Sequence, residues 1–254
     1  MSIVQTVGCS EIWGGNRDDE IFVETSGIRA CLYSKACDGG KGGDIYYFSV
    51  CGSDLLTRIA IMDVMGHGKA VTDISQWLYN SLAARMNSAN GNDVLSDLNK
   101  ASIEKVYEAM STATIAAFYS ENGTLFFSYA GHHEILLNRK NESSWCSLKD
   151  NASENLAGLP LGVEQECQFS QQDVCATVGD RIFLYTDGLI EAMDEKGNQF
   201  TTERLLNVLE QNSDFDLSQI RQSVLDSLVQ HSGGNLNHDD ITFMIVEIIK
   251  ANSD

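Results

Sequence analysis

The pair of runs DIYYFSV at 44–50 and TRIAIMDV at 57–64 constrains this chain more than any other feature. Both are rich in β-branched and aromatic residues, and the segment between them centres on Ser53-Asp54, so they read as an antiparallel hairpin. A symmetric turn centred between residues 53 and 54 places Asp44 opposite Asp63 at the open end. Directly paired residues have Cβ atoms roughly 5 Å apart. Two carboxylates that close destabilise the pair unless a cation lies between them. Gly42-Gly43 precedes the first aspartate and Gly66-His67-Gly68 follows the second, where glycine lets backbone approach an ion or a phosphate. On the hairpin alone the plainer reading, two ordinary strand-end aspartates, stays open.

The same apolar patterning predicts further strands at 28–33, 113–119, 124–129, 134–137, 173–178, 181–186 and 240–249. Asn122-Gly123 marks a tight turn between two of them, since that pair tolerates positive φ. Between the hairpin and the run at 113–119 the pattern changes. Val71, Ile74, Leu78, Leu82 and Met86 recur at helical spacing, as do Val94, Leu98, Ile103, Val106 and Met110 after Asn90-Gly91. Two more helices are expected over 202–211 and 217–230, the second capped by Asp216 and ended by Gly233-Gly234. Sheets assembled from hairpins, with helices inserted in pairs, indicate an α+β fold rather than a doubly wound parallel sheet. The chain has one proline, Pro160, and no linker-like tract or internal repeat, so a single domain over 1–254 is expected.

Two further strand-like runs adjoin aspartates. RIFLYT at 181–186 stops at Asp187-Gly188, and His238-Asp239-Asp240 introduces ITFMIVEII. Aspartates gathered from strand ends form the all-oxygen ligand set that suits Mg²⁺ or Mn²⁺ rather than zinc. Thirty-six acidic against seventeen basic residues give a net charge of −19, which disfavours nucleic acid and anionic membrane surfaces as partners. The seven cysteines include no C-x-x-C pair, which argues against a disulfide framework or a structural zinc site. No run approaches the ~18 apolar residues of a membrane helix, and the first residues lack a signal-peptide pattern. A soluble cytoplasmic protein is expected.

Six short motifs follow one another along the chain: GGD at 42–44, DVMGHG at 63–68, AGH at 130–132, GLPLGV at 158–163, GDRIFLYTDGLIEA at 179–192 and DDIT at 239–242. In this order and spacing the chain resembles the SpoIIE/RsbU branch of the metal-dependent PPM (protein phosphatase 2C-like) serine/threonine phosphatases. The resemblance runs from about residue 42 to 249. It implies a four-layer α-β-β-α sandwich, two mainly antiparallel sheets flanked by helices, with two Mn²⁺ or Mg²⁺ ions at one end of the sheets. By the matching motifs, Asp44 would ligate one ion and Asp63 would bridge both. The Val64 carbonyl would complete the second ion's shell, and Asp187 and Asp239 would hold the first. Gly43, Gly66, His67, Gly188 and Asp240 would support the ligands from loops or from behind them. Met62 stands where the family has glycine and His133 where it has proline, and neither change removes a ligand.

The implied reaction is hydrolysis of phosphoserine or phosphothreonine on a regulatory protein, by in-line attack of a metal-bridging hydroxide. Its implied setting is bacterial partner switching, with a substrate like an anti-sigma-factor antagonist. The helices over 70–110 follow the loop after Asp63 and are the expected docking face for an activating partner. One rival is a pseudophosphatase, the same fold kept as a regulatory binding module; retention of all four aspartates speaks against it. The other is a binuclear metal hydrolase acting on nucleotides or small phosphoesters.

Other signals carry less. DGGKGG at 38–43 is no P-loop, because Lys35 occupies the first glycine position and Gly42 replaces the Ser/Thr. Arg17 in GGNRDD resembles the phosphate-binding arginine of eukaryotic relatives but reads first as a surface arginine, which leaves the phosphate-binding residue unidentified. His67 reads as a loop-shaping residue ahead of a general acid, and the adjacent His132 and His133 suit no shared metal. Trp77, Leu78 and Tyr79 read as core or interface, and Cys31, Cys37 and Cys51 as buried small hydrophobes.

Overall fold

Alternate side chains of a strand point to opposite faces, so a strand that is apolar throughout must be covered twice. The computed structural model describes residues 4–51, 53–86, 88, 90–105, 109–150 and 158–251. Its strands are β1 (Val4–Thr6), β2 (Ile12–Arg17), β3 (Asp19–Glu24), β4 (Ile28–Lys35), β5 (Lys41–Cys51), β6 (Leu56–Val64), β7 (Ser111–Tyr119), β8 (Thr124–Ala130), β9 (Leu136–Asn138), β10 (Trp145–Ser147), β11 (Gln172–Cys175), β12 (Arg181–Tyr185) and β13 (Ile241–Ile248). Its helices are α1 (Thr72–Arg85), α2 (Gly91–Glu104), α3 (Asp187–Glu191), α4 (Thr201–Gln211) and α5 (Leu217–Ser232).

One sheet runs β11-β8-β7-β6-β5-β2 and the other β1-β3-β4-β13-β12-β9-β10. Tyr46, Phe48, Ile59 and Ile61 fill the space between the sheets against Ile28, Leu32, Met244 and Val246. The opposite faces of β5 and β6, carrying Ile45, Tyr47, Ala60 and Met62, pack beneath Leu78 and Leu82 of α1 and Leu95 and Leu98 of α2. Phe183, Phe243 and Ile245 do the same on the second sheet beneath Leu205, Leu209, Ile220 and Val224 of α4 and α5. These three apolar interfaces make the four layers α-β-β-α.

The β5–β6 register runs from Ile45 opposite Met62 to Cys51 opposite Leu56. Ser53 and Asp54 take the left-handed φ values of 58° and 68° that close such a hairpin. Asp44 and Asp63 are the next opposed positions, and by alternation they share the inward faces of Tyr46 and Ile61. A slip of one residue would have turned β6 over and parted them.

Several elements differ from the sequence-based expectation. β1, β2, β3 and β10 were not expected: two are three residues long, and β2 is interrupted by Gly14 and Gly15. A 3-10 turn, Gly68–Val71, precedes α1, so the helix proper starts at Thr72 rather than 70. α2 ends at Glu104, well short of Met110; Val106 lies outside the described residues. α3 begins directly where a strand end was expected. Cys31 is buried as anticipated, but Cys37 and Cys51 are only half-buried, because each thiol meets a polar partner, His67 and Arg58 respectively. α5 carries the expected caps, a reciprocal Asp216–Gln219 box and a left-handed Gly233.

Phe243 is fully buried and stacks on both Tyr33 and Phe183, with ring centroids 5.4 Å away in each case. Phe243→Ala is expected to cost about 3–5 kcal/mol in urea unfolding. A loss below ~1 kcal/mol would mean the helix-covered face of the second sheet is not a packed core.

Candidate active site

Four strand ends meet at one edge of the sandwich. Asp44 is 3% exposed. Its Oδ2 accepts a hydrogen bond from the Thr186 hydroxyl at 2.8 Å, while its Oδ1 is buried with no partner. The Thr186 oxygen also receives the Thr242 amide at 3.0 Å, and the Thr242 and Ser34 hydroxyls meet at 2.8 Å, so polar contacts from the second sheet hold Asp44 from behind. Asp63, Asp187 and Asp239 are half-buried and line a cleft of ≈ 270 Å³ together with Gly66 and Thr112. Among the described residues no lysine or arginine lines it.

Burial holds the Asp44 carboxyl well above the usual carboxylate range, with Asp240 and Asp187 adding to the effect. Asp63 is raised as well, first by burial and then by Asp44, Asp187 and Asp239. Burial followed by Asp187 and Asp240 pushes Asp239 up to about 6, against the hydrogen bond it accepts from the Asp240 amide. Among the described residues no three His, Cys, Asp or Glu side chains form a ready-made metal cluster. The residues instead present like charges around a common cleft, the condition that divalent cations relieve.

Asp240 differs from its neighbours. It accepts the backbone amides of Cys37 (2.8 Å), Gly43 (2.6 Å) and Gly68 (3.0 Å). Its oxygens are occupied by backbone, which suits support rather than ligation. Gly42 permits this approach, since a Cβ there would overlap the Asp240 carboxylate, and Gly188 likewise leaves room for the Asp240 backbone carbonyl. The Val64 and Gly66 carbonyl oxygens lie 3.2 and 3.1 Å from where a Gly43 Cβ would stand. His67 is exposed on the loop, with Nδ1 3.3 Å from the Cys37 thiol. Arg17 lies away from the cleft and pairs with Asp19 at 3.0 Å.

Thr186, Thr112 and His132 were not identified from sequence as site residues. His132 Nε2 is 3.0 Å from the Tyr185 carbonyl, which only accepts, so Nε2 carries the proton. Burial and then His133 push the imidazole pKa down to about 3, leaving Nδ1 an unprotonated acceptor. The Thr112 hydroxyl, 2.6 Å away, must therefore donate to it. Thr112 is paired with Asp63 across β6 and β7 and lines the cleft beside it. His133 stacks on Tyr185 at 5.2 Å, which seats the altered AGH loop.

The layered sheets with an acidic end are the protein phosphatase 2C-like architecture. The structure superposes on the RsbU and RsbW domains of Rv1364c from Mycobacterium tuberculosis with a TM-score of 0.73, at 20% identity over 89% of this chain and 61% of that one. It superposes on the SiaA-PP2C domain of Pseudomonas aeruginosa with a TM-score of 0.74, at 17% identity over 86% and 85% of the two chains. Residues 53–249 match the SpoIIE family, described as Stage II sporulation protein E, and the chain belongs to that family. A curated relative, phosphoserine phosphatase RsbU of Bacillus subtilis, is 27% identical over 208 residues, 80% of this chain. The match spans 58% of the length of RsbU. No helix among the described residues is long and apolar enough to cross a membrane.

The raised carboxyls give a signed pH dependence. A carboxyl with a folded-state pKa above its unfolded value binds more protons when folded, so its stabilising contribution is lost as pH rises through the folded pKa. In divalent-free buffer the melting temperature is therefore expected to fall between about pH 4 and pH 6 as Asp239 ionises. It should fall further at higher pH as Asp63 follows. Asp239→Asn should flatten the first part of that slope. A slope unchanged by the substitution would remove Asp239 from the repelling set.

Proposed function

We propose that the protein is a metal-dependent protein serine/threonine phosphatase that hydrolyses phosphoserine or phosphothreonine on a regulatory protein. The observation that carries this reading is the buried, partnerless Oδ1 of Asp44 behind three cleft-lining carboxylates, with no basic side chain among the described residues of the lining to neutralise them. Hard oxygen donors in that density fit divalent cations of the Mg²⁺ and Mn²⁺ type. Asp44, Asp63, Asp187, Asp239 and the Val64 carbonyl are the groups that would hold two of them. Such ions, when bound, supply a nucleophilic water at neutral pH and offset the charge of the phosphoryl oxygens.

The remaining work falls to the chain itself. Thr186 fixes the rotamer of Asp44, and Asp240 pins three backbone segments behind the cleft. His132 accepts from the Thr112 hydroxyl and so fixes the orientation of that side chain in the cleft lining. The name of the RsbU relative supports the phosphoserine reading. The RsbU and RsbW domain names of the structural neighbour support a partner-switching setting, with a substrate resembling an anti-sigma-factor antagonist. An activating partner would engage α1 and α2. Ser75 of α1 donates to the Gly42 carbonyl at 2.6 Å, which links that helix to the strand carrying Asp44.

Phosphate release from a phosphoserine protein tests the reading. Asp63→Asn is expected to lower turnover by more than the ~100-fold that loss of a supporting residue costs, and excess EDTA should abolish it. Thr186→Val, which frees Asp44 without removing a ligand, should cost about 10–100-fold. Full turnover in EDTA or in Asp63→Asn would overturn the proposal. Phosphoprotein binding without release would favour a regulatory binding module instead.

A further inference from the structure

Met65, at 60%, is the most exposed large apolar side chain among the described residues. It stands two residues after Asp63 and lines the same cleft, beside Met110 and Pro160. Backbone bonds join the three. The Met65 amide donates to the Met110 carbonyl at 2.9 Å. Ser111, next to Met110, exchanges amide-to-carbonyl bonds of 3.2 and 2.8 Å with Leu161, next to Pro160. Gly131 backs the proline closely: with φ of 64° it has no Cβ, and one placed there would lie 2.8 Å from the ring. The result is a preformed apolar shelf rising from one side of an acidic floor.

An exposed apolar patch beside a functional cleft marks a contact surface, and thioether side chains adapt to varied partners. The chemistry of the cleft limits what can lie there. With no lysine or arginine among the described residues of its lining and a chain charge of −19, acidic flanking residues on a substrate are repelled and gain no compensating pair there. A phosphoryl group that enters the carboxylate-lined floor places the residues adjoining it on the rim, against the shelf. We propose that Met65, Met110 and Pro160 form a selectivity subsite that takes an apolar side chain adjoining the phosphorylated serine or threonine. This rests on the phosphatase reading for the identity of the phosphorylated group and extends it to the substrate's sequence.

The test uses the whole chain with Mn²⁺ and two peptides carrying a non-hydrolysable phosphonate analogue of phosphoserine. The peptides are identical except that the analogue is flanked by leucine on both sides or by serine on both sides. Fluorescence anisotropy is expected to give a dissociation constant about tenfold lower for the leucine-flanked peptide. Met65→Gln, similar in length but polar, should bring the ratio to about one, and Met110→Gln should lower it. A variant that merely loosened the fold would weaken both peptides alike and leave the ratio intact. Equal affinities in the unaltered chain, or a ratio that survives both substitutions, would overturn the proposal. Phosphate release from the corresponding phosphoserine peptides is read separately. Preference without release would keep the shelf and remove the phosphatase, whereas release without preference would do the reverse.

Discussion

The three amide hydrogen bonds accepted by Asp240 hold the functional end of this sandwich together. The residue sits at the entrance to β13, in the second sheet. Its partners are the segment after β4, the start of β5 and the turn after β6. Charged acceptors form stronger hydrogen bonds than neutral ones, so one buried carboxylate fixes the position of the first sheet's edge on the second. That fixation matters because the sheets deliver aspartates to the same place. Asp44 and Asp63 come from β5 and β6, Asp187 from the start of α3, and Asp239 from the approach to β13. Without the clamp their repulsion would favour separation of the sheets where they must stay close.

Division of labour among the carboxylates follows from their hydrogen bonding. Asp240 is saturated by backbone and serves the framework. Asp44 is as deeply buried but keeps one oxygen without a partner, an arrangement that costs stability unless something occupies it. Asp63, Asp187 and Asp239 open onto the cleft. Displaced carboxyl pKa values at a cluster of like charges in a cleft are a usual sign of a functional site. The apolar shelf of Met65, Met110 and Pro160 lines the same cleft as these carboxylates, so charge and hydrophobicity share one site.

Much of this was legible in the chain, where local physics decides. The Asp44–Asp63 pairing could be read because a short turn at Ser53-Asp54 fixes register without help from the rest of the fold. The caps of α5 could be read because Asp216, Gln219 and Gly233 act on their own helix. The strand-end positions near Asp187 and Asp239 followed from apolar runs that stop abruptly. Thr112 was hidden for the opposite reason. Its pairing with Asp63 crosses the whole α1–α2 insertion, so no local turn sets the register. His132 and Thr186 act through contacts between sheets, which one strand's pattern does not encode. β1 is three residues long and β2 is interrupted by Gly14 and Gly15, so both owe their order to neighbouring strands rather than to propensity. The ordered motifs from GGD to DDIT supplied what periodicity lacked, the way the two sheets are stacked.

Whether the convergent carboxylates hold divalent cations is decided most directly by diffraction from crystals of the protein soaked in Mn²⁺, with data collected for its anomalous signal. Two anomalous peaks are expected in the cleft, contacted by carboxylate oxygens of Asp44, Asp63, Asp187 and Asp239, with Asp240 still bound to its three amides. A cleft without peaks under saturating Mn²⁺, or Mn²⁺ found only on the acidic outer surface, would contradict the account.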